Sequence, residues 1–300
     1  MKLRRQFSAL VAILVCAAAP AGAAPKVLAT LKPIHSLTAS VMQGVAEPEL
    51  LIGGAISAHS YELKPSDARK ISEAALVFEI GPDMETYLTG ALSALGRRAV
   101  VLERAPGVRL QPARRGGLWG EDEHEQGPAD PHIWLDPRNA IAMTHAIAAA
   151  LVRQDPADAS AYRRNEAATV TMLEGLDREL AAELAPVRER PYLVFHDAYH
   201  YFEARYGLHA VGAITVSPDR PVRARRVAEL RDAVSRGRVV CLFREPQFPP
   251  KLIATLDEGT RARVGVLDPL GADLQPGPAL YPRLMRNLAQ SLTACLGKNR

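Results

Sequence analysis

The apolar positions of residues 25–104 fall into short continuous runs separated by stretches of helical period. "KVLATL" (26–31) and "ALVFEIG" (75–81) have the length and content of buried strands, and "PELLIG" (48–53) and "AVVLE" (99–103) are shorter candidates. Between them, "KPIHSLTASVMQGV" spaces its apolar residues for a helix entered after Pro33. "GGAISAHSYELKPSDARKISEA" opens as a loop and turns helical, with Ser66 or Asp67 as the expected N-cap, and "PDMETYLTGALSAL" is a third helix. Strand and helix alternate, which predicts an α/β sheet with mostly parallel strands and helical crossovers. Such sheets carry their ligand loops at the carboxyl ends of the strands.

The pattern breaks over residues 105–131, where Pro, Gly and charge dominate and no period survives, so a mobile acidic loop is expected. Helix resumes from Pro137 to about Arg153. A second run, Ala157 to Leu184, has no Pro and a single Gly, Gly175. At 1.5 Å per residue it would reach about 40 Å. Alternation then restarts: strand 192–195, helix 197–206, strand "HAVGAI", helix 221–236, strand "VVCLF", helix from Pro250, strand "RVGVLD" and a helix from Tyr281. The expectation is two α/β lobes with mostly parallel sheets joined by one long helix, and a ligand site in the cleft between lobes. The boundaries are residues 25–156 for the first lobe, 157–186 for the helix and 187–300 for the second lobe.

Composition changes this picture at one end only. With 48% apolar and 23% charged residues the chain is an ordinary globular one. Residues 1–24 read as a secretory signal peptide: Lys2, Arg4 and Arg5, then the apolar run Phe7 to Val15, then an A-x-A end at Ala21-Gly22-Ala23. Cleavage near residues 23–24 would leave an exported mature chain. A lipoprotein signal using Cys16 is the weaker alternative, because Val15 stands where a small residue is needed. Losing those three cations takes the formal charge from +4 to +1, so the basic balance ceases to argue for a nucleic-acid partner. Two cysteines then remain, Cys241 and Cys295. In an oxidising compartment they most simply pair, with two buried free thiols as the alternative.

Three of the eight histidines lie at loop or strand ends beside apolar residues: His59 in "GGAISAHSYEL", His132 in "DPHIWLDP" and His196 at the end of "YLVFH". Imidazole nitrogens suit zinc and suit oxygen-preferring manganese or calcium less well. Their wide spacing leaves three unrelated loop histidines as an open alternative. His196 and His200 stand four apart, as in zinc hydrolases, but there the pair needs one helix face and a Glu base. Here Asp197 follows His196, and His196 precedes the helix. In "GEDEHEQG", Glu121, Asp122, Glu123 and Glu125 surround His124, which reads as a solvated charge run or a weak zinc-collecting arm.

Taken together and in order, "SAHSYELKPSDARKISEAALVFEIGPDME", "DPHIWLDPRNA", "VFHDAYHYFEARYGL", "FREPQF" and "LDPLGADL" resemble the periplasmic zinc-binding components of high-affinity zinc ABC importers. These form a branch of the metal-specific solute-binding proteins, and the resemblance covers the whole mature chain. It implies two α/β lobes joined by a long helix, capture of Zn²⁺ as the transported ligand, and delivery to a membrane permease driven by an ATPase. It implies a periplasmic location, no catalysis and a monomer. His59, His132 and His196 would be metal ligands; manganese-type relatives carry Glu where His196 stands. Asp268 would ligate or buttress the site, and Cys241 and Cys295 match a bridged pair. Ala58 departs from zinc members that have a Glu before the first ligand. The loop before His132 is also poorer in histidine than usual. His35 and His200 match no ligand position and are expected to be helix residues near the cleft. A zinc-dependent hydrolase, and manganese-type, adhesin-like or lipid-anchored members of the same fold, are the alternatives.

Overall fold

The computed structural model describes residues 24–96, 99–119, 129–215 and 222–297. The signal-peptide reading and the acidic run around His124 (residues 121–125) fall outside these. The first lobe runs β1 (Val27–Ala29), α1 (Lys32–Val41), β2 (Glu49–Leu50), α2 (Pro65–Glu73), β3 (Leu76–Glu79), α3 (Thr86–Ala94) and β4 (Val100–Val101). Its sheet has the order β2-β1-β3-β4 with every pairing parallel. β2 is shorter than the apolar run that forms it, yet Leu51 and Ile52 still donate to the carbonyls of Ala29 (2.9 Å) and Thr30 (3.0 Å). The difference is one of element ends, where pairing fades rather than stops. α2 begins differently from expectation. Pro65 occupies the first turn after Lys64, and Asp67, instead of capping, reaches back to accept from the Lys64 amide at 2.8 Å. That is the reciprocal half of a capping box.

The chain then enters α4 (Pro137–Gln154), capped by Asp136, whose carboxylate accepts from the Arg138 amide at 2.8 Å. α5 (Ala159–Leu184) is the long helix, flanked by 3₁₀ turns that take up the rest of the expected run. Its buried residues Tyr162, Thr169, Leu173, Leu176, Leu180 and Leu184 recur every three, four or seven positions and so form one stripe. That stripe lies on α1 and α4 of the first lobe and on α9 (Leu280–Leu296) of the second. The helix is therefore packed along its length against both lobes. One apolar core runs from β1 and β3 through α1, α4, α5 and α9 to Phe243.

The second lobe repeats the strand order of the first. β5 (Tyr192–His196), α6 (His200–Tyr206), β6 (Ala210–Thr215), α7 (Ala224–Ser235), β7 (Cys241–Arg244), α8 (Lys251–Asp257) and β8 (Arg263–Val266) form a parallel sheet β6-β5-β7-β8. A smaller cluster around Phe195, Leu230 and Leu242 fills its outer side. Cys241 and Cys295 are bridged, tying β7 to α9. No helix among the described residues is long and apolar enough to cross a membrane.

The described part of residues 105–131 is held rather than loose. Pro112 bridges Ala129, and residues 117–119 form a 3₁₀ turn packed on β6. A Cβ at Gly212 would come within 2.2 Å of the Leu118 carbonyl oxygen, so only glycine admits this approach. Arg114 joins Asp197 and Glu203 across the lobes and lies 3.5 Å from the Trp119 ring centroid. These contacts, to residues mostly distant in sequence, leave no local periodic signature, and the acidic part of the expected mobile loop lies outside the described residues.

Candidate metal centre

Three loops converge where the two sheets present their strand ends. His59 comes from the segment between β2 and α2. His132 follows Asp130-Pro131 and immediately precedes a buried 3₁₀ turn, Ile133–Leu135, that leads into α4. His196 is the last residue of β5, a central strand, and is paired there with Thr215 of β6. The ligand atoms of these three imidazoles all lie within 4.8 Å of one another. The Nε2 atoms of His59 and His132 are 3.2 Å apart, and those of His132 and His196 are 3.3 Å apart. Nitrogens about 2.0–2.1 Å from a tetrahedral zinc are separated by roughly 3.3 Å. Two edges of the triangle already have that length.

The outer nitrogens explain why the inner ones converge. His132 Nδ1 lies 2.7 Å from the Asp130 carboxylate, which also accepts from the His132 amide. His196 Nδ1 lies 2.8 Å from Glu245, at the residue after β7. A carboxylate accepts, so both Nδ1 atoms carry the hydrogen and both Nε2 atoms are left with lone pairs. Two lone pairs at 3.3 Å repel unless a proton or a cation lies between them. The walls are largely apolar: Ala58, Met84, Trp134, Phe248, Pro269 and Leu270.

Electrostatics divide the trio. Burial, and then the neighbouring imidazoles His132 and His196, hold His59 well below the usual histidine range. Burial and the proximity of His196 do the same to His132. Burial also works against the charged form of His196. There the Glu245 charge and hydrogen bond, helped by Asp197 and Asp130, outweigh it and raise the pKa. Burial pushes Asp130 up to about 7.

Asp268 does not join this group. Its Oδ1 accepts from the amides of Leu270 (3.0 Å) and Gly271 (2.9 Å) and from Gln247 Nε2 (2.8 Å), and its Oδ2 accepts from the Ala272 amide (2.5 Å). Both oxygens accept hydrogen bonds from the turn after β8 or from Gln247, and neither is among the converging ligand atoms. His200 is the first residue of α6. His35, on α1, has Nε2 2.9 Å from the Pro48 carbonyl. Neither is among the converging three. His196 belongs to a strand and His200 to a helix, so the pair does not share the helix face that a hydrolase motif requires.

Sequence reasoning passed over Asp130 and Glu245. Both had a signal. Asp130 stands two residues before a candidate ligand, where its carboxylate can reach back to that ring. Glu245 ends a strand beside the strand that ends in His196.

Two parallel sheets of equal order, one spanning helix and a trio of histidines in the cleft are the architecture of a two-lobe solute-binding protein. Comparison with known proteins narrows this. Residues 27–295 match the family described as zinc-uptake complex component A, periplasmic, and the chain belongs to that family. It is 42% identical to the high-affinity zinc uptake system protein ZnuA of Brucella suis, over 94% of this chain and 95% of that protein. With the protein of the same description from Paracoccus denitrificans the identity is 34%, covering 96% and 97%. Among solved structures, a zinc-bound ZnuA with residues 138–173 of its own chain deleted superposes with a TM-score of 0.78 at 26% identity, covering 92% of this chain and all of that one.

Proposed function

We propose that this chain captures Zn²⁺ outside the cytoplasm through His59, His132 and His196 and delivers it, as a monomer, to the permease of an ABC importer, making and breaking no covalent bond. The observation that carries the reading is the convergence of three imidazoles, with Nε2 atoms 3.2 and 3.3 Å apart at tetrahedral spacing, in a largely apolar pocket. Three neutral nitrogen donors favour zinc over manganese, which prefers oxygen. A hydrolase would need a carboxylate free to activate a metal-bound water; Asp130 and Glu245, the carboxylates nearest the trio, are engaged with imidazole Nδ1 atoms. Residues 1–24 are assigned as a signal peptide cleaved near 23–24, with lobes at 25–156 and 187–300 around the helix at 157–186. The direct test is calorimetric titration of the purified mature chain with buffered zinc, paired with zinc uptake by cells lacking the gene. Failure of the protein to bind zinc, or of the gene to restore uptake, ends this reading.

The pH dependence follows from the unequal imidazoles. Zinc requires each ring neutral. His59 and His132, with depressed pKa values, hold no proton to displace near neutrality. His196, raised above its usual 6.5, does. Affinity is therefore expected to be flat above the raised pKa of His196. Below it, affinity should fall by about tenfold per pH unit, one proton being released per zinc bound. Titrations in buffers of different ionisation enthalpy count that proton; an uptake of protons on binding would contradict the assignment.

Glu245→Gln keeps the shape of the carboxylate and removes its charge. Zinc binding is expected to weaken by about tenfold, a typical loss for a carboxylate that orients a ligand histidine. The pH at which affinity begins to fall should also move down, because the charge that raises His196 is gone. Competition with a chromophoric chelator across pH reads both effects.

A further inference from the structure

We infer that Lys32 is a positioning residue for the pocket: from the first lobe it holds the second-lobe segment 268–274 that forms one pocket wall. The inference rests on the zinc-binding reading above and deepens it. Lys32 opens α1, yet its ammonium donates to the carbonyls of Gly271 (2.9 Å), Ala272 (2.6 Å) and Leu274 (3.0 Å) in the other lobe. An ammonium has three donors, and all three are used. The residue is only 5% exposed.

The same segment turns its amides the opposite way. Leu270, Gly271 and Ala272 donate to Asp268, as described above. Gly271 adopts φ 69°, a left-handed turn that a side chain would strain. The segment is thus strung between a cation facing its carbonyls and an anion facing its amides. Its first residues, Pro269 and Leu270, line the metal pocket. Trp134, whose ring centroid is 5.3 Å from that of His132, donates from Nε1 to the Pro269 carbonyl at 2.8 Å. A buried ammonium is costly unless its donors are satisfied. An apolar residue at position 32 would avoid that cost but would take the partner from the Ala272 and Leu274 carbonyls, leaving Gly271 only its bond from the Leu274 amide, and would free the wall to move.

Lys32 and Asp268 therefore act as one clasp that closes the pocket against water and retards zinc release. Association, which needs only entry of the ion, should be little affected. The test uses the full mature chain loaded with one Zn²⁺ and mixed with excess EDTA, comparing wild type, Lys32→Met, Asp268→Asn and the double variant. Release is expected to speed by about tenfold or more in each single variant, with association changed by less than about twofold. The double variant should release no more than about twofold faster than the singles, because the two residues hold one segment. A purely structural role would instead lower the urea midpoint and leave the release rate alone. Folded Lys32→Met that releases zinc at the wild-type rate overturns the clasp. Should that variant not fold, Asp268→Asn decides, and unchanged release there overturns it equally. Wild type that takes up no zinc overturns the functional reading and this one with it, so the two failures are distinguishable.

Discussion

His132→Ala is expected to lower zinc affinity by at least about a hundredfold, roughly 2.7 kcal/mol, and to do so without unfolding the protein. His132 is the middle member of the trio: its Nε2 is the one atom close to both of the others, at 3.2 and 3.3 Å. Removing it leaves His59 and His196 on opposite sides of a gap. It also leaves the Asp130 carboxylate, buried at 6% exposure, without the ring it orients. Two imidazoles and water make a much weaker zinc site than three imidazoles fixed in place. His200→Ala is the matched control, because that ring lies outside the trio. It should change affinity by less than about threefold, under 0.7 kcal/mol. Calorimetric or competitive titration of both variants measures the difference. Equal losses would return the metal to a His196–His200 pair and remove His132 from the site.

The site is balanced in charge as well as in geometry. Three neutral imidazoles leave the ion's double positive charge uncompensated among the atoms nearest it. Asp130 and Glu245 each place a carboxylate one imidazole away. In an apolar pocket that arrangement would offset the charge of an ion held by the three imidazoles. A directly ligating carboxylate would instead make the site more hospitable to manganese. Ala58, where some relatives place a Glu, belongs to the pocket wall and is consistent with this division of labour.

The alternation of apolar runs and helical stretches was sufficient to read two parallel α/β lobes and the helix between them. It works because buried strands of a parallel sheet are continuously apolar, whereas crossover helices are half wet. His59, His132 and His196 could be nominated from their places at strand and loop ends. That they meet depends on the docking of two lobes, which no local pattern encodes; the family resemblance supplied what spacing could not. At Asp268 the sequence left two roles open for a related reason. An Asp after a strand can face a cleft or gather the amides of its own turn, and the segment it holds is also bound by Lys32, more than two hundred residues away in sequence. Arg114 sits in a stretch without period, and its partners Asp197 and Glu203 come from the other lobe. Contacts of this kind are decided by tertiary packing, so composition alone gives no sign of them.

Opening the Cys241–Cys295 bridge should have the largest effect on stability and almost none on zinc affinity. The two residues are 54 apart in sequence, and closing a loop of that length restricts the unfolded chain by about 4 kcal/mol in the loop-closure treatment. In the folded protein the bridge fastens α9 to β7, and Cys241 is fully buried. β7 is central in the second sheet and carries Glu245 just beyond its end, whereas α9 lies on α5 and contributes to the shared core. Replacing both cysteines by alanine keeps the apolar character of the site and removes only the tie and two sulfur atoms. The double variant is expected to lose about 3–5 kcal/mol in urea unfolding, seen mainly as a lower midpoint. Its zinc affinity should stay within about threefold of wild type, since β7, which leads to Glu245, is held by pairing with both β5 and β8, and the other site residues lie on segments that the bridge does not touch. Thiol titration of denatured, unreduced exported protein provides the companion measurement. Two reactive thiols there, or a double variant as stable as wild type, would show that the fold is held without the bridge.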